Sequence, residues 1–280
     1  MGSLVFSAAM SHAPHITGSA DRADPGQRLR FYAAADALGT QLRAARPDVL
    51  VVVASDHLTN FFGSCIPPFC VGSAASHSGP FEKWIKIPEF TVAGHPGFAA
   101  MLIERGFAQG TDLAFSQRMP LEHGVAVPLA LLTPQFDIPI VPLIQNCMVP
   151  PLPSLRRCFE LGQHIRRTAL ASTLRVAVLG TGGLSHWPGA PESGDIDTQF
   201  DQEFLALLTS QTPQRILDIP NERLDRAGFG AWEVRQWACA LGAADAAPAE
   251  VLAYEAIDPW ETGCAVAAFG VKPPSERHTP

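Results

Sequence analysis

The sequence predicts an α/β fold, a single domain with a central mixed, mainly parallel sheet flanked by helices. Two observations carry this expectation. Apolar runs of strand length recur along the chain, and the segments between them repeat apolar residues at helical spacing. The runs are continuous rather than alternating, which marks strands covered on both faces, as crossover helices leave them.

Each element follows in order. Strands are expected at residues 4–9 (LVFSAA), 49–54 (VLVVVA), 138–144 (IPIVPLI) and 176–179 (VAVL). Residues 25–46 carry Leu29, Ala33, Ala37, Leu38 and Leu42 and stop before Pro47, which reads as a helix. A second helix is expected over 155–170, where Leu155, Cys158, Phe159, Gly162 and Ile165 repeat. Residues 119–132 (MPLEHGVAVPLALL) place His123 at the start of a third. A fourth, glycine-punctuated helix start lies in 228–244 (GFGAWEVRQWACALGAA). The proline-rich stretch 149–153 reads as a connection within one domain of residues 1–271. The tail 272–280 (KPPSERHTP) has too little apolar surface to order itself and is expected to be flexible.

Composition narrows the function classes. The formal charge of -7, from 27 acidic and 20 basic residues, offers no footprint for nucleic acid. Six cysteines without a C-x-x-C pair suit reduced thiols in the cytoplasm rather than a disulfide scaffold. No apolar stretch approaches the roughly 20 residues of a membrane span.

Polar residues gather where the expected strands end. His12 follows the first strand, Asp56 and His57 the second, and Gly180, Gly182, Gly183 and His186 the strand at 176–179. In an open α/β sheet the carboxyl ends of strands form the ligand crevice, so these histidines converge on one rim. Turns there need no imidazole for packing, which favours metal ligation by His12 and His57. His15, His77, His95, His164 and His278 read as surface or hydrogen-bonded structural residues. Glu233 shares a helix face with Trp237. A carboxylate on that apolar face requires a cation or hydrogen-bond donor, whereas a solvent-facing Glu in a first helical turn would need neither. Asp56 is a candidate to orient a ligand.

Five ordered motifs carry a resemblance that spans nearly the whole chain: SHAPHI near the start, SDHLTNFFGSCIPPFCVG at 55–72, MPLEHGVAVPL at 119–129, GTGGLSHWPGAP at 180–191, and the helix start with Glu233. The chain resembles the class III extradiol ring-cleavage dioxygenases, of the protocatechuate 4,5-dioxygenase β subunit and 2,3-dihydroxyphenylpropionate dioxygenase type. The resemblance implies that His12, His57 and Glu233 bind a non-haem Fe(II), that His186 is an acid/base residue and that His123 is a second one. It implies a catechol-type or aminophenol substrate, O2 as co-substrate and a muconic semialdehyde-type product. It also implies a homo-oligomer, with a small separate α subunit as the alternative. Two imidazoles and a carboxylate on one face of an iron leave positions for a diol and dioxygen.

The segment 254–270 (YEAIDPWETGCAVAAFG) bears on the substrate. In protocatechuate-cleaving relatives the matching stretch is rich in Ser, Asn and Thr, whereas here it holds Asp258 and Glu261. Acids in the pocket would disfavour an anionic ring substituent. The alternative is that both acids face solvent and Trp260 packs in the core. Two other functions fit the same residues: a non-catalytic metal-binding relative, or a zinc hydrolase.

Overall fold

The computed structural model describes residues 1–271, and the tail expected to be flexible lies outside them. In chain order the first half contains β1 (Ser3–Met10), α1 (His15–Gly18), α2 (Pro25–Ala44), β2 (Val49–Ala54), β3 (Phe69–Gly72), β4 (Ser76–Gly79), β5 (Phe90–Ala93), α3 (Pro96–Ala108) and β6 (Ala114–Ser116). The second half contains α4 (His123–Leu132), β7 (Ile140–Gln145), α5 (Leu155–Ala171), β8 (Arg175–Thr181), α6 (Thr198–Thr209), α7 (Asn221–Arg226), α8 (Val234–Ala243), β9 (Ala249–Ile257) and β10 (Thr262–Phe269).

Eight strands form one mixed sheet in the order β6-β3-β7-β2-β8-β1-β10-β9. The central four, β7, β2, β8 and β1, are parallel, while β3 runs antiparallel to β7, and β10 antiparallel to both β1 and β9. The expected α/β architecture is therefore present. β2 shows why its sequence could be read. Val49, Val51 and Val53 enter one core with α3, α5, α6 and α8, while Leu50, Val52 and Ala54 enter the other with α2 and α4. A strand covered on both faces has no polar alternation to keep.

Boundaries moved modestly. The strand expected at 138–144 begins at Ile140, its first ladder partner being Leu50. The helix of 25–46 ends at Ala44, with Arg46 at a φ of +42°. Asp24 caps its start by accepting from the Gly26 and Gln27 amides. The layout brings the carboxyl ends of β1, β2 and β8, neighbours in the sheet, to one rim beside the starts of α4 and α8.

Candidate metal centre and active site

Two imidazoles meet at one carboxylate oxygen. His12 Nε2 lies 3.1 Å and His57 Nε2 3.2 Å from Glu233 Oε1. His12 stands two residues beyond β1, and its Nδ1 is 3.1 Å from Thr181 Oγ1 at the end of β8. The Thr181 hydroxyl donates to the Gly124 carbonyl at 2.8 Å, so it accepts from His12 Nδ1–H and leaves Nε2 with a bare lone pair. His57, beyond β2, gives its Nδ1–H to Glu122 Oε2 at 2.8 Å, which bares its Nε2 as well. Glu233 ends a 3-10 turn, Phe229–Glu233, that leads into α8. Its Oε2 accepts the Gly183 amide at 2.8 Å.

Three lone pairs therefore face one another in a buried place, an arrangement that repels itself unless a cation sits among them or a ring takes a proton. The electrostatics say the same. Burial opposes the charged form of His57, yet Glu122 and Glu233 outweigh it and hold the ring well above the usual imidazole range. Burial likewise opposes the charged form of Glu233, but His12 and His57 keep its carboxyl well below the usual carboxylate range. Ligand bonds of about 2.1 Å at right angles put donor atoms roughly 3 Å apart, which the two Nε2 to Oε1 distances match. Glu233 is buried, so the solvent-facing alternative for it is excluded.

A second set overlaps the first: His12, His57 and His123 can each bring a ring nitrogen within 4.8 Å of the others. His123 Nδ1 is already committed to Glu82 Oε1 at 2.6 Å and Glu122 Oε2 at 2.9 Å, and the His123 ring stacks on His57 with centroids 4.0 Å apart. The set with Glu233 also supplies a negative charge, which three imidazoles do not. His186 completes the cluster. Its Nδ1 donates to the Leu184 carbonyl at 2.9 Å, and its Nε2 stands 3.9 Å from Glu233 Oε2. Burial pushes this ring's pKa down, with Glu233 opposing. His123 moves the other way: Glu122 and Glu82 overcome its burial and raise it.

Comparisons with known proteins identify the family. Residues 7–264 match the family of the catalytic LigB subunit of aromatic ring-opening dioxygenase. The chain belongs to this family. It is a ring-cleaving dioxygenase of the class III extradiol superfamily, an oxidoreductase. It is 30% identical to a 2,3-dihydroxyphenylpropionate/2,3-dihydroxicinnamic acid 1,2-dioxygenase of Cupriavidus necator, over 90% of this chain and 91% of that one. A protein of the same name from Burkholderia vietnamiensis is 30% identical over 96% of each chain. A crystal structure of an uncharacterized Escherichia coli K12 protein has the same fold, with a TM-score of 0.59 at 20% identity, covering 85% of this chain and 92% of that one.

In this dioxygenase the five residues singled out from the sequence, His12, His57, His123, His186 and Glu233, line one cavity of about 230 Å³. An apolar cavity of roughly 150 Å³ holds benzene, so this one has room for a single ring with a small substituent. The glycines of GTGG are needed for close approach: a Cβ on Gly182 would lie 2.8 Å from Glu233 Cβ. One on Gly183 would lie 2.6 Å from His186 Cε1.

Other placements differ from expectation. Asp56 does not orient His57; its carboxylate accepts the Thr59, Asn60 and Phe61 amides and holds the loop itself. The orienting acid is Glu122, next to His123 in a motif read for its histidine alone, with its partner His57 65 residues away. His15 lines the cavity beside Trp84 rather than serving only the turn, although its Nδ1 does bond Ser19 Oγ at 2.7 Å. Glu82, Thr181 and Trp84 gave no signal in the sequence. Of Asp258 and Glu261, Glu261 lines the cavity and Asp258 is exposed outside it. Trp260 is fully buried against Phe31, yet it also lines the cavity. Among the described residues no helix is long and apolar enough to cross a membrane.

Proposed function

We propose that the chain is an Fe(II)-dependent extradiol dioxygenase that opens a catechol-type or aminophenol ring with O2 to a muconic semialdehyde-type product. His12, His57 and Glu233 hold the iron. The observation that carries this reading is the convergence of His12 Nε2 and His57 Nε2 on Glu233 Oε1 inside a ring-sized cavity. When bound, Fe(II) supplies a Lewis-acid and redox centre for the diol and dioxygen.

His186 is the base. The Leu184 carbonyl fixes the Nδ1–H tautomer, so Nε2 is free to take a ring hydroxyl proton, and burial keeps the ring neutral and able to do so. His123 is the acid: Glu122 and Glu82 favour its charged form, which can deliver a proton to an oxyanion that develops later. Trp84, Trp260 and Pro188 supply apolar wall for the ring and limit water.

Glu261 makes the cavity unfavourable to an anionic substituent, by on the order of 1 kcal/mol. A neutral or amine-bearing catechol, or an aminophenol, is therefore the better substrate than protocatechuate. The names of the relatives specify dihydroxylated rings, which supports the catechol class, while the propionate and cinnamic acid side chains they name are anionic and do not bear out the preference for a neutral substituent.

Metal analysis of anaerobically purified protein, followed by oxygen uptake with catechol, 3-substituted catechols, 2-aminophenol and protocatechuate, tests both parts. Stoichiometric iron with uptake and a coloured product is expected. Tightly bound zinc without uptake would overturn the reaction, and a clear kcat/KM preference for protocatechuate would overturn the substrate reading.

A further inference from the structure

Behind His186 lies a carboxylate that the chemistry above does not use. Asp201, in the first turn of α6, is fully buried. Its Oδ1 accepts the Ser185 amide at 2.8 Å, and its Oδ2 accepts the Ser185 hydroxyl at 2.9 Å and the Tyr254 phenol of β9 at 2.8 Å. Arg223, which lies over the Phe200 ring, pairs with Asp197 and Glu203. A buried carboxylate bound only by neutral donors is costly, so packing alone does not account for it.

What it holds is the turn that carries His186. Ser185 sits between Leu184, whose carbonyl fixes the His186 tautomer, and His186 itself. The same turn is tied to β10 by Leu184 N to the Gly263 carbonyl at 3.1 Å and Gly263 N to the Ser185 carbonyl at 3.0 Å. Gly263 must be glycine, since a Cβ there would lie 2.0 Å from Asp201 Oδ2. On the far side, the His186 carbonyl accepts the Gly230 amide at 3.1 Å, just ahead of Glu233. The turn is thus fixed from three directions, and Asp201 takes both donors of its middle residue.

We propose that Asp201 is a positioning residue for His186, its carboxylate fixing turn 184–186 so that Nε2 meets the substrate hydroxyl. The proposal rests on the reading of His186 as the base. Only an acceptor-only group can take all three donors; an Asn in its place would turn an N–H₂ toward one of them.

The test compares Asp201→Asn, Ser185→Ala and Tyr254→Phe with His186→Phe, using iron-loaded protein and catechol. Asp201→Asn is expected to lose between about 10- and 100-fold in kcat with KM changed less than about twofold and iron content unchanged, the scale of a misplaced catalytic group. Ser185→Ala keeps the backbone donor and is expected to lose about fivefold, one hydrogen bond's worth. Tyr254→Phe touches Asp201 but not the turn; its melting temperature falls and its kcat stays. Wild-type kcat in Asp201→Asn, or a kcat loss that tracks lost iron, would overturn the proposal. Should Asp201→Asn fail to fold, wild-type kcat in Ser185→Ala overturns it. A wild-type rate in His186→Phe would instead remove the base assignment, and the proposal with it.

Discussion

His123 and His186 line the same cavity, yet the protein surrounds them differently. His123 leans on two carboxylates, Glu82 and Glu122, and stacks on His57; His186 leans on a backbone carbonyl, with Glu233 Oε2 3.9 Å away. Burial disfavours the charged form of both rings. The acids reverse that effect for His123 and not for His186, so one cavity holds a ring biased to keep its proton and one biased to stay neutral. Pairs of titratable groups pushed apart in this way divide the acid and base roles between them.

The comparison breaks most completely if the centre between these histidines is misassigned. His12→Ala, His57→Ala and Glu233→Ala are each expected to lose both iron and turnover, by more than the roughly 100-fold that loss of an orienting partner costs. Iron quantitation and oxygen uptake check this. A variant that keeps stoichiometric Fe(II) and normal turnover is not missing a ligand.

Next in size are the two acid/base histidines. His186→Phe should leave iron bound while kcat falls by about 100-fold or more. A base works when neutral and an acid when protonated, so the lowered His186 governs the acid limb of the kcat/KM profile and the raised His123 the alkaline limb. The profile of His123→Phe should therefore lose its alkaline limb and keep the acid one. Loss of the acid limb instead would exchange the two roles.

A smaller effect sharpens the contrast at the side of His123. Glu122→Gln removes the acid that His57 and His123 share, and iron affinity should fall about 10- to 100-fold, read by titration of the apo protein with Fe(II) under anaerobic conditions. Affinity equal to wild type would mean that His57 is oriented by its packing alone.

This contrast was only partly legible in the sequence, for physical reasons. β2 and β8 were visible because burial on both faces removes polar residues, whereas β3 and β6 are four and three residues long, and the edge strand β9 mixes Glu250 and Glu255 with apolar side chains. The histidines stood out because each follows a strand or opens a helix. Their partners did not. Glu122 reaches His57 across 65 positions, and Asp201 reaches Ser185 from α6, so neither spacing carries a local signal. Asp56 shows the converse: adjacency to His57 suggested a role that its bonds to the loop amides do not bear out. Glu233 was undecided because a helix start can face water or the core, and the 3-10 turn before α8 decides it.

The finest test uses the carboxylates behind the two histidines, Glu122 and Asp201, which should link stability to pH with opposite signs. Burial pushes Asp201 up to about 6 against an ordinary 3.8, with the Ser185 and Tyr254 hydrogen bonds opposing. As pH falls from 6 towards 4 the folded state takes its proton before the unfolded state does, so the Asp201 contribution to stability rises. At about 1.4 kcal/mol per pKa unit, the ceiling is roughly 3 kcal/mol. Glu122 is held well below its ordinary 4.5 by His123 and His57, which outweigh its burial, so its contribution is present above pH 4.5 and is lost as pH falls through its low folded pKa. Urea midpoints of wild type and Asp201→Asn, measured between pH 7.5 and 4.5, should diverge in favour of wild type as pH falls. Over the same range the advantage of wild type over Glu122→Gln should hold or shrink. A constant difference for Asp201→Asn would mean that Asp201 does not change protonation in this range, and the carboxylate behind His186 would then be no different in kind from the one behind His123.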